Sequence, residues 1–365
     1  MEITVNIKSF SDVLGKLKKV CPRAVDFNII PGKRGITLCA LSDDIAAKFK
    51  VPNATVDEAG DPITVPLDPI LGVIKGRTTM TFKFEDDTLS FSDGGKYSGK
   101  IEIPTYQEID ITKPTDGLEI NLSDSDASSV FYQAVEDATL SGTFSNAESM
   151  NLLMSMGKKG IVALCFDPYY TVKVVDSGAK FSSAKAALDL SILDSIRSVV
   201  GKGDAYTLTI TDSSVFAASS DFLLRFPAIQ VDSIDDNIQN MDSFIDQWMK
   251  SKFSRVWVET TKLKEVLANI YTFYQKGVPI DFTLSAKGLT VGIKSALGQM
   301  KESIPAKVEN PVKEAFHCEY QLISELLDKV TVDTIPLSFI KDSLVYIHLN
   351  DDVREFFAGA ALRAQ

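Results

Sequence analysis

Cations set at helical spacing are the residues best suited to chemistry in this chain, and the chemistry they suit is contact with phosphates. A helix read over 10–20 carries Lys16, Lys18 and Lys19, with Lys8 before it and Arg23 after it. A second carries Lys75 and Arg77. A fourth carries Arg197, with Lys202 beyond it. A fifth carries Lys262 and Lys264, with Lys276 following, and a sixth carries Lys329. The third, read over 126–138, holds Glu136 and Asp137 and no base. Rows of Lys and Arg bind a polyanion through its charge, without regard to sequence. Yet the chain is acidic, with 38 Lys+Arg against 49 Asp+Glu in 365 residues and a net charge of -11. A uniformly basic nucleic-acid binder is excluded, and the acids must concentrate away from these helices. For any single lysine a solvated helix face explains the charge as well; the joint pattern singles the set out.

Catalytic and metal chemistry has little to work with. His317 and His348 are the only histidines and lie in no triad or His-Glu-x-x-His pattern. Cys21, Cys39, Cys165 and Cys318 are far apart, so reduced, buried thiols are expected rather than a zinc site. Asp43-Asp44, Asp86-Asp87 and Asp351-Asp352 fall in predicted strand turns, where solvated acids are ordinary. The turns at 32–35 and 157–160 pair Gly with Lys or Arg, but are too short for a phosphate loop and lead into strands. An enzyme is not expected, and no cofactor or metal is implied. With 45% hydrophobic and 24% charged residues the chain is an ordinary globular one. It has no leader pattern and no run of ~18 apolar residues, so a cytoplasmic protein without a membrane partner is expected.

The elements that must carry these residues repeat. Glycines 35, 160 and 288 each follow a basic residue, and each opens an apolar strand, a polar turn and another strand. Their spacing, about 125 residues, is that of a whole domain. A second series starts at 63–65, 186–189 and 316–318, where a short strand runs into a helix with apolar residues three and four apart. Three strands follow each helix. The chain reads as α+β: three tandem repeats, each of two βαβββ half-units, with domains at 1–114, 115–232 and 233–365. A segment near 241–250, with Phe244, Ile245, Trp248 and Met249, reads as an extra amphipathic helix in the last linker, with no role assigned.

Each half-unit is expected to pair its helix with a four-stranded antiparallel patch. Three such domains in an arc leave two open strand edges, and a C2 dimer can pair them into a ring of six domains. Helices would line the inside and sheets the outer wall. The edge strand over 97–103, with Tyr97, Ile101 and Ile103, is expected to meet a third-repeat strand in or beside 280–284, with Ile280 and Phe282. Ile270 and Tyr271 would supply a packed patch, or else belong to their own domain's core.

With this order of repeats, the chain resembles the bacterial-type sliding clamp, the beta subunit of the replicative DNA polymerase. The strings behind this are Leu14-Gly15-Lys16 through Cys21-Pro22-Arg23-Ala24, Ser42-Asp43-Asp44, Phe226-Pro227, Phe316-His317-Cys318-Glu319-Tyr320 and Asp342-Ser343-Leu344. The resemblance covers essentially the whole chain and rests on the order and spacing of these strings. It departs at Asp167-Pro168-Tyr169-Tyr170-Thr171, where the family has an Asp-Gly-His-Arg-Leu turn, and at the terminus, Ala360-Ala361-Leu362-Arg363-Ala364-Gln365. A divergent clamp, for instance from a bacteriophage, would fit.

The resemblance implies a non-catalytic processivity factor, a homodimer ring around duplex DNA that tethers the replicative polymerase, the clamp loader and repair proteins. Lys16, Lys18, Lys19, Arg23, Lys75, Arg77, Arg197, Lys202, Lys262 and Lys264 would face DNA. A pocket for partner peptides would draw on Tyr169, Tyr170, Thr171, Pro227, Val231, His317, Tyr320, Leu344, Leu362 and Arg363. Leu344 and Leu362 read equally well as strand core. The alternatives are an open processivity factor that forms no ring, and a β-rich structural protein that does not bind DNA.

Overall fold

Six times along the chain a strand leads into a helix that is followed by three strands. The computed structural model describes all residues except 34, 59, 123–124, 140–150, 168, 202–203, 230–233, 313–314 and 363–365. The first half-unit is β1 (Glu2–Asn6), α1 (Ile7–Val20), β2 (Asp26–Gly32), β3 (Gly35–Ser42) and β4 (Ile45–Val51). An added strand, β5 (Ala54–Glu58), precedes the second: β6 (Ile63–Pro66), α2 (Leu67–Ile74), β7 (Thr79–Glu85), β8 (Thr88–Ser92) and β9 (Ser98–Glu102). The second repeat runs β10 (Leu118–Leu122), α3 (Ser125–Ala138), β11 (Asn151–Gly157), β12 (Gly160–Phe166) and β13 (Tyr170–Asp176). It continues with β14 (Ala184–Asp189), α4 (Leu190–Val199), β15 (Tyr206–Ile210), β16 (Ser214–Ala218) and β17 (Phe222–Pro227). After α5 (Ile234–Lys250) come β18 (Ser254–Glu259), α6 (Thr260–Tyr271), β19 (Ile280–Ser285), β20 (Gly288–Ser295) and β21 (Gly298–Pro305). A short β22 (Lys307–Glu309) leads to β23 (Ala315–Cys318), α7 (Tyr320–Asp328), β24 (Thr334–Ile340), β25 (Leu344–Asn350) and β26 (Arg354–Ala361).

The half-units are not self-contained, contrary to the sequence reading. Each leading strand pairs with the three trailing strands of the other half-unit in its repeat: β1 with β7, β6 with β2, β10 with β15, β14 with β11, β18 with β24 and β23 with β19. Local pattern specifies a strand but not its partner, and here the helix after each leading strand carries the chain to the other sheet.

Two compact units result, one from 1–128 with 191–230, the other from 129–190 with 231–365. The first holds a five-stranded sheet, β5-β1-β7-β8-β9, and an eight-stranded one in which β17 of the second repeat pairs with β4 of the first. The second unit holds a nine-stranded sheet, β14-β11-β12-β13-β26-β25-β24-β18-β22, and a four-stranded one, β21-β20-β19-β23.

The cores follow from apolar periodicity. On α1 the residues Ile7, Phe10, Val13, Leu14, Leu17 and Val20 are buried, and the Asn6 side chain accepts a hydrogen bond from the Ser9 N–H at 3.2 Å, capping the first turn. Phe10 meets Phe27 and Phe82 at 6.5 and 5.8 Å between ring centres. In the second unit Phe339 lies against Phe282 and Phe316 at 5.6 and 4.7 Å. The repeating glycines open equivalent hairpins. Gly160 and Gly288 have φ of 113° and 141°, and a Cβ there would strike the carbonyls of Asp176 and Ile304.

All four cysteines are unpaired and buried. Burial pushes the Cys21 thiol up to about 12 and those of Cys39 and Cys165 up to about 11. Because the folded values are raised, the stabilisation is complete below the unfolded thiol value and is lost as pH rises through about 11 to 12. At pH 8, alkylation by iodoacetamide should be about a hundredfold slower in the native protein than in denaturant, as the thiolate fraction falls. Equal rates would show these thiols to be open.

Candidate functional site

Across the nine-stranded sheet, side chains alternate between two faces. One carries Val256, Val258, Leu337, Phe339, Val345 and Ile347, all buried with Phe282 and Phe316 in the third repeat's core. The opposite face would ordinarily be polar. Instead it carries Leu153, Leu164 and Ala187 on β11, β12 and β14, and Leu344, Tyr346 and Phe357 on β25 and β26.

Helix α5 covers that apolar face. Ile234, Ile238 and Met241 pack against the first group, and Ile245, Trp248 and Met249 against the second. The spacing 234, 238, 241, 245, 248 is one helical stripe, so a single helix crosses from one group to the other. Trp248 stacks on Phe357 at 6.0 Å and 13°, and on Phe244 at 6.2 Å. Lys173 pairs with Asp242 at 2.7 Å, and Lys185 pairs with Asp235. The helix read over 241–250 therefore starts at 234, and its role is to cap the sheet where β13 and β26 join two repeats.

Beside α5 lies a cleft of about 330 Å³, lined by Asp167, Tyr169, Tyr170 and Thr171, by Met241, Phe244 and Trp248, and by Ser343, Leu344, Gly359 and Ala361. The Asp167 carboxylate shapes its turn, accepting from the N–H groups of Tyr169 and Tyr170 at 2.6 and 2.9 Å. Partial burial raises the Asp167 carboxyl above its usual range. Tyr170 points inward, with its hydroxyl 3.5 Å from Cys165 Sγ. Tyr169 stands 60% exposed, and Phe244 and Phe166 are 49% and 37% exposed. Tyr169 and Phe244 line the cleft, and exposed aromatics over an apolar cleft suit an interaction site.

The sequence reading placed Tyr169, Tyr170, Thr171 and Leu344 together, and the structure does so too. Leu362 sits at the rim, donating its N–H to the Ser343 carbonyl at 2.8 Å. Tyr320 and His317 lie elsewhere. Tyr320 packs with Tyr271 and Tyr274 at 5.6 and 4.8 Å where α6 and α7 meet, and burial raises its hydroxyl above the usual value. His317 faces Asp281 at 2.7 Å on the four-stranded sheet. Pro227 is exposed at the end of β17, in the other compact unit, and Val231 and Arg363 fall outside the described residues. Met241, Phe244 and Trp248 were missed; the stripe spacing of α5 was the signal that could have found them.

The candidate phosphate contacts divide sharply. Lys16, Lys19 and Lys75 are exposed and form no ion pair among the described residues. Lys16 and Lys19 line, with Lys50, a groove of about 1030 Å³ in the first unit. Lys18, Arg23, Lys262 and Lys264 hold exposed partners, Asp68, Asp43, Glu259 and Asp328, at 3.2 to 3.7 Å. Such pairs are worth little and yield readily to a phosphate. Arg77 is different: it pairs with Asp93 at 3.4 Å and lies 3.8 Å above the Tyr97 ring, so its guanidinium is committed to the β8–β9 turn. Arg197 is on α4, and Lys202 lies outside the described residues. No group of three or more metal-ligating side chains is found among the described residues, and no helix there is long and apolar enough to cross a membrane.

No family model and no curated sequence matches the chain. Solved structures do, end to end. The DNA polymerase III beta chain of Streptococcus pneumoniae superposes with a TM-score of 0.81 over 100% of both chains at 12% identity. The sliding clamp of Bacillus subtilis gives 0.79 at 12% identity, and the beta subunit of Thermotoga maritima 0.78 at 16%, each covering 100% of this chain and 99% of the other. This chain has the sliding-clamp fold. At such identities the likeness is one of backbone architecture.

Among the described residues the sheet edges are β5 and β9, β10 and β6, β14 and β22, and β21 and β23. The strand expected over 97–103 is the edge strand β9, with Ile101 half-buried and Ile103 buried. Its expected counterpart is not an edge. β19 lies between β20 and β23, with Ile280 and Phe282 fully buried, so neither can meet a second chain. Ile270 is likewise core, while Tyr271 is 60% exposed. The long free edge in that sheet is β21, next to the exposed Leu297.

Proposed function

We propose that this protein is a DNA polymerase processivity factor, a clamp whose two copies close into a ring around duplex DNA. Supporting the reading above all is the clamp fold over the whole chain, in which β9 and β21 are sheet edges among the described residues. A C2 dimer can pair each β9 with the partner's β21. Lys100 and Glu102 share one face of β9, while Lys301 and Glu302 lie on opposite faces of β21, so antiparallel pairing can match one opposite-charge pair. Tyr271 and Leu297, exposed beside β21, would be covered.

The division into three domains at 1–114, 115–232 and 233–365 belongs to this reading, as does a ring lined by helices. Lys16, Lys18, Lys19, Arg23, Lys75, Lys262 and Lys264 supply a diffuse, sequence-independent attraction, and topology rather than affinity holds the ring on DNA. The cleft beside α5 receives an extended peptide from the replicative polymerase or the clamp loader, with an apolar side chain between Tyr169, Phe244 and Trp248. Replication in a cytoplasm, bacterial or phage-infected, is the setting it fits.

The test is solution mass together with retention on nicked circular and linear DNA. A dimer that stays on circles and runs off linear ends supports the ring; a monomer at micromolar concentration overturns it. Replacing Lys16, Lys19 and Lys75 together by Glu should keep the dimer and reduce loading. Neutralising them should flatten the salt dependence of DNA binding by about 0.9 in log–log slope for each phosphate that no longer meets a lysine. An unchanged salt response would remove these lysines from the DNA face.

A further inference from the structure

Toward the β22 end of the nine-stranded sheet, sharing no lining residue with the α5 cleft, lies a second groove of about 760 Å³. Its floor is the stacked pair Phe316 and Phe339, and Phe253, Val312 and Ile340 form apolar walls. Lys252 and Lys341 stand exposed on its rim. Phe253 continues the groove toward the sheet face that carries Arg255 and Trp257. There the Arg255 guanidinium lies 4.3 Å above the Phe253 ring, and Lys307 Nζ lies 4.6 Å above the Trp257 ring. The Asn310 side-chain amide donates to the Phe253 carbonyl at 3.2 Å, tying the end of β22 to this wall.

The charge here runs against that of the molecule. Among the described residues Lys252, Arg255, Lys307 and Lys341 gather here, with Glu309 opposite Arg255 and Asp342 beside Lys341, within a chain of net charge -11. A cationic rim over an apolar floor matches a ligand that is anionic outside and apolar at one point. We propose that this groove binds an acidic peptide segment carrying one bulky apolar side chain, which enters between Phe253 and the Phe316–Phe339 pair while its carboxylates meet Lys252, Lys341, Arg255 and Lys307. The last strand, β22, offers its outer backbone edge to an extended segment. A nucleic-acid strand would be drawn to the same cations. The floor, however, is two phenyl rings, and one face of the Phe253 ring and one of the Trp257 ring are already met by Arg255 and Lys307.

The test uses the full chain and a fluorescein-labelled peptide, Gly-Asp-Glu-Asp-Phe-Asp-Glu-Asp-Gly, read by anisotropy. A dodecamer of deoxythymidylate and a peptide with Ser in place of Phe serve as competitors. Lys252→Glu with Lys341→Glu should weaken the Phe peptide at least about tenfold, the factor that 1.4 kcal/mol carries. Phe253→Ala should do the same at constant charge, and the Ser peptide should compete at least about tenfold more weakly. No binding by the wild type, or equal binding by the lysine double variant, overturns the proposal. So does an oligonucleotide that displaces the peptide and depends on the same two lysines. Dimer mass and DNA retention should be unchanged in the lysine variant, so failure here and failure of the ring reading are separate results.

Discussion

Tyr169→Ala should weaken binding of a polymerase-tail peptide by about tenfold or more while leaving thermal stability unchanged. Tyr169 is 60% exposed, and its backbone, not its ring, is held by the Asp167 carboxylate and by the Ala361 N–H at 2.7 Å. Removing the ring therefore takes away cleft surface and nothing structural. Trp248→Ala should behave differently. Its ring is both cleft wall and the contact through which α5 grips Phe357. Loss of a half-buried indole should cost about 2 kcal/mol of stability, below the range for a fully buried one, and should weaken the peptide at least as much as Tyr169→Ala. Titration calorimetry with the wild-type peptide separates the two, with melting curves alongside. If Tyr169→Ala binds with unchanged affinity, the peptide sits elsewhere on the molecule. If Trp248→Ala binds normally while melting earlier, α5 is a brace and not part of the site.

How far the sequence reached depended on whether each feature was local. The βαβββ order was legible because alternation in strands and three-four spacing in helices are written in adjacent residues. Glycines 35, 160 and 288 marked the repeat because their hairpins need a backbone conformation that a side chain would obstruct. The exchange of leading strands was not legible, since nothing in Glu2–Asn6 distinguishes pairing with β2 from pairing with β7. The same limit hides which strands are edges: β19 alternates Ile280, Phe282 and Leu284 with polar residues, yet it lies between β20 and β23, whereas the edge strand β21 reads Gln299, Lys301 and Ser303 on its exposed side. At the cleft, Tyr169 and Thr171 lie at the start of β13 and Leu344 at the start of β25, two strands of one sheet with β26 between them, and motif order located them. Tyr320 and His317 lie on the neighbouring α7 and β23 of the third repeat, and packing against Tyr271 and Tyr274 takes the tyrosine away. Leu153, Leu164 and Phe357 read simply as strand core. Only the helix above them shows that this sheet is buried on both faces.

If the proposed ring closes through β21, proline at one of two neighbouring positions in that strand should leave the chain monomeric without unfolding it. In an antiparallel strand, successive N–H groups point to opposite sides, one toward the paired strand and the next outward. Lys301 and Glu302 are neighbours in β21, opposite Gly292 and Val291 of β20. Lys301→Pro and Glu302→Pro therefore differ in which hydrogen bond is removed. One removes a donor used by β20 and should lower the melting temperature. The other removes a donor that faces out of the sheet, a position where proline is tolerated on an edge, and should leave melting nearly unchanged. That second variant should be monomeric by mass at micromolar concentration and should fail to remain on nicked circular DNA, because a partner's β9 cannot complete its ladder against the missing N–H. Lys100 and Glu102 on β9 give a reciprocal check, since proline there should act on the same interface from the other side. Two β21 variants that both stay dimeric would move the closure surface away from this edge, and with it Tyr271 and Leu297. A stable monomer from one variant and an early-melting dimer from the other would fix not only the interface but the side of the strand it uses.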